Sequence, residues 1–303
     1  MDQASKLRGL ILNESLRIYK NKQEDRRGLS LQKGTPKVIA ITSGKGGVGK
    51  TNVVGNLAIA CQRLKKKVLI FDADLGLANI DIIYGINPKH NIEDVIKGEK
   101  GLSQIIVEGP EGVSLIPASS GVQELVHLSE GHKINLLNEF DILNNMFDLL
   151  LVDTGAGISS NVIYFNLAAE ERIIVATPEP TSITDAYALM KVMFYQHGTK
   201  NFTLLINMAR DEKEAKSVYQ NMSKAVEKFM GSISLDYAGF IPWDSMLQKA
   251  VTKRKPVVCS YPEAPASENF NKLAQYLFRK SEKRPMDGNI KFFWKRLVSV
   301  TKD

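Results

Sequence analysis

The stretch SGKGGVGKT occupies residues 43–51 and satisfies the pattern G-x-x-x-x-G-K-T. An apolar run, VIAI at 38–41, precedes it, and the helix-like segment NVVGNLAIA follows at 52–60. Glycines let backbone N–H groups converge on phosphate oxygens, and the positive N-terminus of the following helix favours an anion. A strand, this loop and a helix in that order predict a phosphate-binding loop.

Two side chains of the loop have separate predicted roles. Lys50 would neutralise the β and γ phosphates, and Thr51 would be a ligand of Mg²⁺. The predicted phosphate-binding residues are Gly44, Lys45, Gly46, Gly47, Val48, Gly49, Lys50, Thr51 and Asn52. The alternative, a glycine-rich turn that binds nothing, fits less well because the strand and helix that the motif requires are both present.

Further apolar runs predict the remaining strands. They lie at residues 68–71, 149–152, 173–176 and 202–206, with a weaker run at 238–241. Runs that are apolar on both faces are typical of buried parallel strands, and the intervals between them leave room for helices. The expected fold is α/β, with a doubly wound, mostly parallel sheet and helices on both faces.

Composition is that of a folded domain: the 303 residues are 44% hydrophobic and 24% charged. The formal charge of +7 comes from 40 basic and 33 acidic residues, and much of the excess lies near the two ends of the chain. Cys61 and Cys259 are far apart, so the sequence predicts no disulfide framework, metal site or iron–sulfur site. Without a long apolar run or a signal peptide, a cytoplasmic protein is expected.

Lys45 is a second cation inside the loop, which an ordinary phosphate loop does not need. With it, the sequence resembles the deviant Walker A loop, K-G-G-x-G-K-T, of the MinD/ParA family of P-loop ATPases. The resemblance implies binding of ATP and Mg²⁺, slow hydrolysis, and an ATP-bound homodimer. In such a dimer Lys45 would reach the partner's nucleotide and supply charge to the transition state. The alternative is a solvated loop lysine.

Two aspartate-containing segments resemble the switch regions of this family. FDADLGLANID at 71–81 is similar to switch I, which implies that Asp74 orients the attacking water and that Asp72 lies nearer the magnesium shell. VDTGAG at 152–157 is similar to switch II, with Asp153 as a magnesium-shell carboxylate and a glycine where proline is common. A single aspartate at a strand end could instead cap a helix or form a turn.

The base-binding prediction also rests on the resemblance. Asn207 follows the fifth apolar run, and Pro242 and Asp244 follow the sixth, where MinD-like proteins hold adenine. The alternative is ordinary turn and N-cap chemistry. An N-K-x-D motif, typical of GTP binding, is absent from the sequence, which also favours ATP.

The C-terminal segment 289–300 has the period of an amphipathic helix. One face would carry Ile290, Phe293, Trp294, Leu297 and Val298, and the cations lie elsewhere. Such a helix suits an anionic membrane surface, and the family resemblance favours that over a helix docked on the core. We therefore expect the protein in the cytoplasm, peripherally associated with the inner face of the cell membrane when ATP is bound.

DQASKLR at 2–8 matches the D-Q-A-x-x-L-R element of the FlhG (YlxH/FleN) group within this family. The resemblance implies that this element stimulates the GTPase FlhF, and that components of the flagellar switch complex are further partners. The predicted partner-binding residues are Asp2, Gln3, Ala4, Leu7 and Arg8. An ordinary N-terminal helix start is the alternative.

These features predict three regions. Residues 1–35 would form an activating helix and flexible linker, 36–280 the ATPase domain, and 281–303 a basic linker and membrane-targeting helix. The expected function is an ATP switch that regulates flagellar placement and number. A MinD-type division-site regulator, a ParA-type DNA-partition ATPase and a scaffold that binds ATP without turnover stay as alternatives. Nucleic-acid binding is not expected, because the ATPase region has no basic stripe with interleaved aromatic residues.

Overall fold

The computed structural model describes residues 36–74, 79–117, 143 and 146–281. The strands are β1 (Lys37–Ser43), β2 (Val68–Ala73), β3 (Val107–Glu108), β4 (Ser114–Ile116), β5 (Leu149–Ala156), β6 (Glu171–Ala176), β7 (Asn201–Ala209) and β8 (Ser234–Pro242). The helices are α1 (Lys50–Arg63), α2 (Ile80–Tyr84), α3 (Ile92–Ile96), α4 (Leu102–Ile105), α5 (Ser160–Ala168), α6 (Pro180–His197), α7 (Glu212–Met230), α8 (Ser245–Thr252), α9 (Val257–Ser260) and α10 (Pro265–Ser281). A 3₁₀ turn spans Pro110–Gly112. The predictions made for 1–35 and 282–303 lie outside these residues.

The strands form one sheet in the order β3-β4-β2-β5-β1-β6-β7-β8. Neighbouring strands are parallel except at the β3–β4 edge, where the pair is antiparallel. The chain moves outward from β1 in both directions, which confirms the predicted doubly wound, mostly parallel sheet. All six predicted strands are present, and β3 and β4 are additional.

Helices cover both faces of the sheet because its central strands are apolar on both sides. In β1, Ile39 and Ile41 belong to the core that α1 and α10 share, whereas Val38 and Ala40 face a second core with Phe165 of α5. A third core lies under α6 and α7. Because successive side chains of a strand point to opposite faces of the sheet, the apolar run of β1 contributes to a core on each face. No helix within the described ranges is long and apolar enough to cross a membrane.

A buried lysine connects three elements at the start of β1. The Lys37 ammonium lies 2.9 Å from Glu171 Oε1 in β6 and donates a hydrogen bond of 3.2 Å to the Leu277 carbonyl in α10. Its side chain is 2% exposed and that of Glu171 is 15% exposed. Because a charge buried this deeply needs a counter-charge, the ion pair stabilises the contact of β1 with β6, and the hydrogen bond to Leu277 joins α10 to the same lysine.

Replacing Glu171 with alanine is expected to lower the free energy of unfolding by about 3–5 kcal/mol, because the buried Lys37 ammonium then loses the counter-charge that Glu171 provides. Urea unfolding followed by circular dichroism would measure this loss. The matched control is Glu93→Ala, which breaks the more exposed 2.5 Å pair with Lys97 and should cost less than about 1 kcal/mol. Equal small losses in the two variants would contradict the assignment of a structural role to Lys37.

Candidate functional site

The loop between β1 and α1 depends on glycine at several positions. Gly47 and Gly49 adopt φ of 80° and 82°, the left-handed region, and Gly49 immediately precedes the first residue of α1. At Gly44, an added Cβ would lie 2.1 Å from the backbone carbonyl carbon of Asp185 in α6. The loop thus rests directly on the α6 backbone, and a side chain at Gly44 would force the two apart.

Lys50 forms the centre of the site. Its ammonium contacts Asp153 Oδ1 in the second half of β5 and lies 3.8 Å from Asp74 Oδ2, just after β2. Asp72 is the register partner of Asp153 on the neighbouring strand. The structure therefore brings together the three aspartates predicted from the two switch segments, because parallel strands end at the same edge of the sheet.

Burial perturbs two of these carboxyl groups. It raises the pKa of Asp72 to about 7, with a further increase from the charge of Asp153. Burial also raises the pKa of Asp153, against the lowering effects of the Lys50 ammonium and of hydrogen bonding to Lys50 and Thr51. Thr51 therefore lies beside Asp153. Within the described part of the chain, Asp153 Oδ2 is buried without a hydrogen-bond partner.

Thr51 and Asp153 fit the Mg²⁺ that the sequence predicts. Magnesium at phosphate sites takes one or two protein oxygens and fills its remaining positions with phosphate oxygens and water. The Thr51 hydroxyl and the orphaned Asp153 Oδ2 are such oxygens. Over the ranges that the structure covers, no cluster of three or more His, Cys, Asp or Glu side chains could hold a metal ion. The remaining ligands of Mg²⁺ would be phosphate oxygens and water.

The Asp72 carboxyl group accepts hydrogen bonds from the backbone that follows β2. Its Oδ1 accepts a hydrogen bond from the Asp74 amide at 3.2 Å, and its Oδ2 accepts from the amides of Asn79 at 3.2 Å and Ile80 at 3.4 Å. The Asp72 carboxyl group thereby holds the amides of Asp74, Asn79 and Ile80. Its place near the magnesium shell stays a prediction.

The two predicted catalytic residues lie on different sides of the loop. Asp74 is beside Lys50, and a Cβ at Gly155 would come within 3.7 Å of its Oδ1. Lys45 points elsewhere: its ammonium lies 3.0 Å from Glu179 Oε2 and 3.0 Å from Thr181 Oγ1. Its side chain is 34% exposed. Lys45 is therefore a surface cation held at the first turn of α6.

The predicted base-binding residues share one cavity beside the loop. Its lining consists of Gly49, Asn52, Val53, Asn207, Met208, Pro242, Trp243, Asp244, Leu247, Gln248 and Phe270. Asp244 caps α8 through a 2.8 Å bond from the Met246 amide, and its other oxygen accepts from the Ala266 amide at 3.0 Å. Its N-cap chemistry is therefore present, while its contact with adenine stays a prediction.

Five apolar residues of this cavity were not predicted from the sequence: Val53, Met208, Trp243, Leu247 and Phe270. Met208 and Trp243 adjoin residues that were predicted, so their proximity in sequence was an available signal. Leu247 and Phe270 come from α8 and α10, and nothing in the sequence indicated which face of those helices meets the loop.

Fold and site together define a P-loop NTPase whose phosphate loop carries a second lysine. The family profile described as "ParA: NUBPL iron-transfer P-loop NTPase" matches residues 34–278. The antiactivator FleN of Pseudomonas aeruginosa is 43% identical, over 86% of this chain and 93% of FleN. The flagellum site-determining protein YlxH of Helicobacter pylori is 38% identical, over 88% of this chain and 91% of YlxH.

Solved structures agree with these sequence relatives. The septum site-determining protein MinD of Pyrococcus horikoshii, complexed with Mg-ADP, superposes with a TM-score of 0.64 at 26% identity, over 81% of this chain and 97% of MinD. The chain belongs to the MinD/ParA family of P-loop ATPases, in the group of FleN and YlxH proteins that is also called FlhG. It is an ATPase, and its binding of Mg²⁺ stays a prediction.

The raised pKa of Asp72 predicts a pH dependence of the nucleotide-free protein. Between about pH 4 and pH 7 the folded state holds a proton that the unfolded state has lost, so raising the pH over this range favours unfolding. We expect wild type to lose stability relative to Asp72→Asn as pH rises from about 4 to about 7, and the difference to change no further above that pH. Urea unfolding from pH 5 to pH 8 measures this, with Asp81→Asn, outside the buried cluster, as control. Parallel curves for wild type and Asp72→Asn would refute the assignment.

Proposed function

We propose that this protein is an ATP-switched regulator of flagellar placement and number, monomeric without ATP and dimeric and membrane-bound with it. The names of its relatives, an antiactivator and a flagellum site-determining protein, support this role. Both align over more than nine tenths of their own length. The output of such a protein is a change in the population of its states rather than a released product.

The position of Lys45 is the observation that carries the switch mechanism. The Lys50 ammonium is buried against Asp153 inside the site, whereas the Lys45 ammonium of the same loop lies at the surface. From there it is available to the nucleotide of a second subunit that faces this one. A cation brought across a dimer stabilises charge in the transition state in the manner of an arginine finger. Its exposed ion pair with Glu179 costs little to break.

Replacing Lys45 with alanine is expected to leave the protein monomeric in the presence of ATP and to lower ATP turnover roughly 100-fold, because the charge from the partner is lost. Light scattering with a non-hydrolysable ATP analogue and turnover measured against protein concentration would check both effects. Lys216→Ala, in an exposed lysine of α7, is the control. If Lys45→Ala dimerises and turns over like this control, Lys45 does not act across a dimer.

The N-terminal element is proposed to stimulate the GTPase FlhF. Residues 1–35 lie outside the described structure, so the proposal rests on the sequence DQASKLR at 2–8 and on the FleN and YlxH relatives. Gln3 and Arg8 would offer polar groups to the partner's catalytic site, while Leu7 anchors the helix on an apolar surface. Components of the flagellar switch complex are the further proposed partners.

The GTPase rate of purified FlhF, measured with the full-length protein, tests this role. Wild type is expected to stimulate the rate, and the double variant Gln3→Ala with Arg8→Ala is expected to lose most of the stimulation. Asn21→Ala with Lys22→Ala, outside the element, is the matched control and should stimulate like wild type. If wild type does not stimulate the GTPase rate, the proposed action on FlhF is wrong, and a division-site regulator becomes the stronger candidate.

The C-terminal segment is proposed as the membrane anchor. Its predicted apolar face consists of Ile290, Phe293, Trp294, Leu297 and Val298, and each flanking cation would add about 1 kcal/mol at an anionic surface. One such helix binds weakly, and two helices in an ATP-bound dimer bind together with higher avidity. ATP would thereby move the protein from the cytoplasm to the inner face of the cell membrane.

A further inference from the structure

The end of β7 contains a backbone irregularity directly beside the phosphate loop. The register with β8 shifts between Asn207 and Ala209, and the residue between them, Met208, adopts φ of 58°. Non-glycine residues seldom adopt this left-handed conformation, and it persists only where the surrounding structure enforces it. Here the Trp243 amide donates a 2.8 Å hydrogen bond to the Ala209 carbonyl and so fixes the turn from the β8 side.

This turn places the Asn207 side chain against the loop. Asn207 is 5% exposed, and its Nδ2 donates a 2.7 Å hydrogen bond to the Val48 carbonyl. The same nitrogen would lie 2.5 Å from a Cβ at Gly49. The Asn207 amide therefore occupies the space that a side chain at Gly49 would need. One of its N–H donors is already used by the Val48 carbonyl of the loop.

The Val48–Gly49 peptide gives this hydrogen bond a consequence for phosphate binding. In a planar trans peptide, the C=O and the following N–H point in opposite directions. Holding the Val48 carbonyl toward Asn207 therefore turns the Gly49 N–H away from β7. Because phosphate loops bind anions through backbone N–H groups, the orientation of this peptide affects the affinity for phosphate.

Met208 occupies a different part of the same site. Its side chain is 40% exposed and lines the apolar cavity next to the loop, with its Cε 3.3 Å from the position of a Cβ at Gly49. A thioether side chain offers an adaptable apolar wall and favourable sulfur–aromatic contacts, which suits the face of a flat base.

We propose that Asn207 is a positioning residue for the phosphate loop, acting through the Val48–Gly49 peptide, and that its neighbour Met208 contributes to affinity only through the base. This inference goes beyond the contact with adenine that the sequence predicts for Asn207. It rests on nucleotide binding by the family and is independent of dimerisation, FlhF and the membrane.

The test compares two ligands, ATP and inorganic tripolyphosphate, each with Mg²⁺, binding to the full-length protein in a titration calorimeter. Asn207→Ala is expected to lower the affinities for ATP and for tripolyphosphate by a similar factor, about tenfold, because one hydrogen bond to the loop is lost. Asn207→Asp keeps the shape and an acceptor oxygen but cannot donate to Val48, so it should lose affinity for tripolyphosphate as well. Met208→Ala changes the neighbouring residue and is the matched comparison. It should lower the affinity for ATP and leave the affinity for tripolyphosphate unchanged.

Binding stoichiometry separates a positioning defect from a folding defect, because misfolded protein lowers the number of sites rather than the affinity of the remaining ones. Unchanged stoichiometry with parallel losses for both ligands in Asn207→Ala supports the proposal. Weakened ATP binding with unchanged tripolyphosphate binding in Asn207→Ala would overturn it, since Asn207 would then act on the base. Equal losses for the two ligands in Met208→Ala would overturn the assigned division of roles.

Discussion

The ion pair between Lys50 and Asp153 is the interaction on which the rest of the site depends. It places a cation among carboxylates from two neighbouring strands, and it joins the start of α1 to the end of β5. Without that cation, the buried aspartates would repel one another at the edge of the sheet. A polyphosphate that enters the loop competes with Asp153 and Asp74 for the same ammonium. Anion binding is therefore coupled to the segments that follow β2 and β5.

The sequence predicted the sheet and much of the site for a shared physical reason. A strand buried on both faces must be apolar throughout, which makes β1, β2 and β5 visible as runs, and aspartates that follow such strands must meet at one edge. β3 and β4 are two and three residues long and too short to form a run. The contacts of Lys45 with Glu179 and Thr181 were also not predictable, because those residues are distant from it in sequence.

Asp244 and Asn207 illustrate a limit of assigning roles from position alone. Both lie in the predicted cavity, yet Asp244 holds the starts of α8 and α10, and Asn207 holds the loop. Short polar side chains at strand ends can satisfy nearby backbone groups or a ligand, and residue type does not distinguish the two. Asp72 behaves similarly, since it binds the backbone of the segment that follows it. Only the three-dimensional contacts show whether such a side chain binds nearby backbone or is free to bind a ligand.

The contact between Gly44 and α6 has a mechanical consequence. At Gly44 no side chain separates the loop from the backbone of Asp185 and Ala186. The loop and α6 are therefore in direct contact. The helix continues to His197, roughly 18 Å further along its axis. A tilt of α6 imposed at Gly44 would be amplified over that length, as by a lever arm. The contact with Gly44 thus couples the orientation of α6 to the position of the loop.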